Sequence, residues 1–124
     1  YGSGQNPLSL ISFSDVAEFA VASLDNPAAR NATIDIGGPE ALSQLQVVQI
    51  FEELGGKPFE VEYVPESALA EQQAAATDPM QQSFAGLMQK YARGDAVDMQ
   101  DTLNAFPMQL TTVRQYAQNV LGAA

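Results

Sequence analysis

The sequence predicts a mixed α/β chain of about five helices with a few short strands, an α+β arrangement when taken in isolation. Three stretches carry that prediction. Thr33-Ile34-Asp35-Ile36-Gly37-Gly38-Pro39-Glu40, continuing through Ser43 to Gly55 and Gly56, reads as a strand, a glycine turn and an amphipathic helix with both ends marked. Phe59-Glu60-Val61-Glu62-Tyr63-Val64 alternates apolar and charged side chains at the period of a half-buried strand. Asp78-Pro79, followed by Met80, Phe84, Leu87, Met88 and Tyr91, reads as a capped helix with one apolar stripe.

Taken in order, residues 2–7 are turn chemistry, and the apolar residues of 8–13 predict a short strand. Ser14 is the expected N-cap of a helix over 15–24, with Asp15 and Glu18 placing negative charge in the first turn. Val16, Phe19, Ala20 and Leu24 form its expected buried stripe, and Pro27 ends it. Ile34 and Ile36 share one face of the next strand. Ser43 and Gln46 have capping-box spacing, Val47, Ile50, Phe51 and Leu54 make the stripe, and Gly55-Gly56 fits a left-handed C-cap. Residues 66–75 form an alanine-rich helix, and Arg93-Gly94 closes the one that follows. Residues 95–107 show no single period. Thr111 or Thr112 caps a last helix bearing Val113, Tyr116, Ala117, Val120 and Leu121 on one face.

At 124 residues the chain suffices for one domain with one core, and its hydrophobic share of 46% is ordinary for a globular protein. Five Lys plus Arg against fifteen Asp plus Glu leave a net charge of −10, which argues against nucleic acid and against anionic membrane surfaces. No apolar run approaches the roughly 18 to 20 residues of a membrane span. Cysteine and histidine are both absent, which excludes disulfides, thiolate or imidazole metal sites and any Ser-His-Asp or Cys-His triad within the chain. A cytoplasmic location is the expectation these features leave. Tyr1-Gly2-Ser3-Gly4 reads as the middle of a loop, so the chain is expected to be part of a longer protein.

Gly2-Ser3-Gly4 lacks a third glycine and a preceding strand, so it is not a dinucleotide fingerprint. Gly55-Gly56-Lys57 lacks the spacing of a phosphate loop. Asn31-Ala32-Thr33 matches a glycosylation sequon and is read as chance. Glu60 and Glu62, on one strand face, suit a hard cation or acid/base work, but the solvent side of a strand is the plainer reading. Asp15 is read as a capping and dipole residue, not a catalyst.

In their order and spacing, Ser12-Phe13-Ser14-Asp15-Val16-Ala17-Glu18-Phe19-Ala20, Ile34-Asp35-Ile36-Gly37-Gly38-Pro39-Glu40, Gly56-Lys57-Pro58 and Val61-Glu62-Tyr63-Val64-Pro65 form a recognisable set. The set resembles the C-terminal part of NmrA-like proteins, atypical extended short-chain dehydrogenases/reductases. That resemblance implies the C-terminal, substrate-side portion of an NAD(P)-binding Rossmann-type fold without its N-terminal half. It implies NAD(P) and a small-molecule substrate for the intact parent, and no cofactor, catalytic or metal residues in this chain. The Tyr-x3-Lys proton dyad of many superfamily members is missing: Tyr1, Tyr63, Tyr91 and Tyr116 are followed four residues on by Gln5, Ser67, Asp95 and Val120. Many atypical members lack that dyad, so the resemblance implies that the intact parent is either an NAD(P)-dependent oxidoreductase or an NAD(P)H-sensing regulator.

Tyr63, Met80, Phe84, Met88 and Tyr91 are the candidates for a substrate pocket, because methionine and aromatic side chains suit adaptable apolar clefts. A plain core stripe is the competing reading of the same residues. The expected partner is the missing Rossmann half, with self-association in its absence through the exposed edges of the strands expected at Leu8–Phe13 and Ile34–Ile36. A second class of function stays open: a free-standing acidic module for protein interaction.

Overall fold

A computed structural model describes residues 1–122. In chain order it contains β1 (Pro7–Leu8), α1 (Phe13–Asp25), a 3-10 turn (Pro27–Ala29), β2 (Leu42–Ser43), α2 (Gln44–Gly55), α3 (Glu66–Ala75), α4 (Pro79–Arg93), α5 (Gln100–Ala105) and α6 (Val113–Gly122). The fold is mostly helical with a small antiparallel pair, Pro7 opposite Ser43 and Leu8 opposite Leu42, consistent with an α/β fragment. Two compact units share the chain: Tyr1–Leu8 with Leu42–Asp95, and Ser9–Ala41 with Ala96–Ala124.

In the first unit, helix ends are written by local chemistry. Ser43 and Gln46 form the expected capping box at α2, and Gly56 closes that helix at φ +66°. Asp78 Oδ1 accepts from Met80 N at 2.9 Å, with Pro79 opening α4. The first residues of the chain lie against these helices. Gly4 O accepts from Leu45 N, Val64 O accepts from Gly2 N, and Pro7 O accepts from Asp95 N. Asn6 Nδ2 donates to Ala92 O at 2.6 Å. Leu69, Met88 and Ala92 make the core, with Tyr1, Val64 and Tyr91 packed on it. Leu69 is 2% exposed, so Leu69→Ala is expected to remove about 2–5 kcal/mol of stability, read as a lower urea midpoint.

The second unit packs Phe19, Met99, Phe106 and Leu110 into its own core. The Phe19 and Phe106 rings meet edge-to-face at 6.2 Å. Asp15, buried, accepts from Thr111 N at 2.8 Å and Thr111 Oγ1 at 3.0 Å. Thr112 and Gln115 form a reciprocal cap at α6, whose first N–H also donates from Val113 to Glu40 Oε1.

Several expectations need correction. The stretches 8–13, 33–36 and 59–64 are not strands, apart from Leu8 in β1. Alternation yields a strand only where a second backbone takes up its polar groups. Gly38 N donates to Ser9 O, but Gly38 lies beyond the second stretch. Residues 60–63 make no backbone hydrogen bond among the described residues, and Phe59, Val61 and Tyr63 are exposed rather than half-buried. The α1 cap is Ser12, whose Oγ accepts from Asp15 N; Ser14 lies inside the helix. Leu24, placed in the buried stripe, is 81% exposed. On α6 only Ala117 is buried, while Tyr116, Val120 and Leu121 face outward. The unreadable stretch contains α5 and two core residues, Met99 and Phe106.

Candidate functional site

In the first unit, α3 and α4 form an antiparallel hairpin. Arg93 at the end of α4 pairs with Glu66 at the start of α3, Nε to Oε2, at 3.1 Å. At the other end Gln82 Nε2 donates to Ala76 O at 2.9 Å, covering a carbonyl left free where α3 stops. Gln89 Nε2 donates to Gln73 Oε1 at 2.8 Å midway. These amides and the Asp78-Pro79 cap hold the two helix ends side by side, and between them lies an open groove of about 550 Å³. Gln72, Ala75 and Ala76 form one wall; Met80, Gln81, Phe84 and Ala85 form the other.

The five pocket candidates separate here. Met80 and Phe84 line the groove, 75% and 56% exposed. Met88, 7% exposed, is a core residue beside Leu69 and Ala92. Tyr91 is half-buried on that core, and its carbonyl accepts from Gln44 Nε2 at 3.4 Å. Tyr63 is exposed and does not line this groove. The expected stripe thus divides into two faces. Met80, Phe84 and Leu87 point outward, while Ala85, Met88 and Ala92 point inward. Small side chains set the inward face because they let two helices approach closely.

Sequence reasoning missed the α3 wall. Its only signal is the short link from Ala76 to Pro79, which forces the end of α3 against the start of α4. The surface it completes is a carbon-rich floor edged by the Gln72 and Gln81 side chains. Such a surface can hold a flat apolar molecule and offers amide hydrogen bonds at its rim. Among the described residues its lining contains no ionisable, hydroxyl or thiol side chain.

Other candidate chemistry stays dispersed. Lys90 Nζ pairs with Asp95 Oδ1 at 3.1 Å in a solvent-exposed bridge worth little energy. Glu52 Oε1 accepts from Phe59 N at 2.8 Å just past α2. Among the described residues no three acidic side chains gather as a metal site, and no helix is long and apolar enough to cross a membrane.

The chain is similar to the isoflavone reductase homolog IRL of Zea mays, 27% identical over 129 aligned positions. The alignment covers 97% of this chain and 42% of the maize protein, so the chain spans less than half the length of that relative. No family model matches.

Proposed function

We propose that this chain is the substrate-side C-terminal portion of an NmrA-like, NAD(P)-binding protein and is catalytically inactive by itself. The observation that carries the reading is the match across 97% of this chain but 42% of a reductase homolog. The intact parent is an NAD(P)-dependent oxidoreductase or an NAD(P)H-sensing regulator of the cytoplasm, its cofactor held by an N-terminal Rossmann half. Two features support that division of labour. The chain offers no Tyr-x3-Lys dyad and no glycine fingerprint for a dinucleotide. Residues 60–63 alternate like a strand yet make no backbone hydrogen bond among the described residues, as a segment paired by another part of a longer protein would.

Within this reading Met80 and Phe84 supply the apolar wall for a small-molecule substrate. Met88 and Tyr91 anchor the helix that presents it, and Tyr63 belongs to the unpaired stretch. Without its Rossmann half the chain self-associates through that stretch.

Titration of NADPH and NADH into the chain, followed by cofactor fluorescence, is expected to show no saturable binding. The full-length gene product is expected to bind one of them at micromolar concentration. Saturable micromolar binding by this chain alone would sink the proposal. Light scattering supplies the second check: a strictly monomeric mass over a wide concentration range would rule out self-association.

A further inference from the structure

We propose that Met80 is a peroxide-reactive modification site whose oxidation turns the α3–α4 groove from apolar to polar. The inference rests on exposure and groove geometry and does not depend on the cofactor assignment above. The chain holds four methionines, and their surroundings differ sharply. Met80 is 75% exposed in the first turn of α4. Met88 and Met99 are each 7% exposed in cores, and Met108 is half-buried. Met99 is further occupied, because its Sδ accepts from Gly37 N at 3.0 Å. Access of the oxidant to the sulfur lone pair decides thioether reactivity, so the thioethers are not equivalent.

The step balances with a hydroperoxide as the only co-reactant. The Met80 sulfur lone pair attacks the terminal peroxide oxygen, the O–O bond breaks, and sulfur is oxidised by two electrons to the sulfoxide. Hydrogen peroxide is reduced to water. The product carries a strongly polar S–O bond where a polarizable apolar side chain stood. Met80 shares the groove with Phe84, Ala75 and Ala76, so the sulfoxide must be hydrated in a lining otherwise made largely of carbon. An apolar ligand then has to strip that water to enter. Thiol-dependent sulfoxide reduction restores the original surface.

The test is limited hydrogen peroxide treatment of the folded chain, quenched with free methionine. Chymotryptic peptide mapping by mass spectrometry follows, since cleavage after Phe84 and Leu87 separates Met80 from Met88. Met80 sulfoxide is expected to form about tenfold faster than Met88 or Met99 sulfoxide, and the rates are expected to converge in urea. Similar rates for all four methionines in the folded chain would overturn the site. A parallel titration with 1-anilinonaphthalene-8-sulfonate, an anionic dye whose aromatic rings fluoresce on apolar surface, reads the groove. Peroxide is expected to lower dye fluorescence in the wild type and in Met88→Leu, and to leave Met80→Leu unresponsive. Selective oxidation of Met80 with unchanged dye binding would overturn the change in groove character while leaving the site itself standing.

Discussion

Replacing Asp15 with alanine is expected to destabilise the unit built on Phe19 and Phe106 by about 3–4 kcal/mol, a large part of a small domain's stability. The carboxylate is 3% exposed and accepts from both Thr111 N and Thr111 Oγ1. Hydrogen bonds to a charged acceptor contribute about 1.5–3 kcal/mol each, and the truncation removes the acceptor of both donors. Asp15→Asn keeps the shape and one acceptor oxygen, so about half that loss is expected. Thr111→Val removes only the hydroxyl donor and is expected to cost about 1–2 kcal/mol. Urea unfolding of the two single variants and the double variant measures the coupling directly. Stability of Asp15→Ala within about 0.5 kcal/mol of wild type would show that the contact carries no weight.

This pair also marks where sequence reading stops. Asp15 reads as a capping and dipole residue because it falls in the first turn of a helix, whereas its partner lies 96 positions away. Features that close within three or four residues were legible: the Ser43–Gln46 box, Gly56 at the end of α2, and Asp78-Pro79 at the start of α4. Features that depend on remote backbone were not. The alternation at 59–64 is a strand pattern without a partner strand among the described residues, and the outward Leu24 cannot be told from the inward Phe19 by helical spacing alone. The groove shows the same division. Met80 and Phe84 were identifiable from residue type. The α3 wall of Gln72, Ala75 and Ala76 becomes visible only once the hairpin is folded. Small residues decided the buried face of α4, and periodicity counts of large apolar side chains overlook them.

Gly38→Ala is expected to be more damaging than any other single methyl addition in the strand–turn–helix stretch, costing about 3 kcal/mol or more. A Cβ at this position would overlap the Leu10 carbonyl oxygen, with the Leu10 carbonyl carbon at 2.8 Å. Backbone cannot rotate aside as a side chain can. The neighbouring bond from Gly38 N to Ser9 O, at 3.2 Å, would have to stretch to make room. Gly37→Ala meets the Ser9 Cβ at 2.8 Å, the Val97 Cβ at 3.2 Å and the Ser9 carbonyl oxygen at 3.3 Å, tight contacts with atoms tied to backbone but without the overlap found at Gly38, so a smaller loss is expected. Gly56 is the opposite case: nothing lies within 4 Å of a Cβ there, and the cost is torsional at φ +66°, about 1 kcal/mol. Unfolding midpoints should therefore fall in the order Gly38→Ala, Gly37→Ala, Gly56→Ala, lowest first. The consequence of the first extends beyond the turn. Pro39 and Glu40 follow directly, and Glu40 Oε1 accepts from the first N–H of α6. A displaced turn withdraws that carboxylate, so α6 amides should exchange faster with solvent in Gly38→Ala but not in Gly56→Ala. Unchanged α6 protection in Gly38→Ala would mean that the close approach to Leu10 does not position Glu40. The two glycine pairs therefore differ in role: Gly37-Gly38 is required by close backbone packing, and Gly56 by chain direction alone.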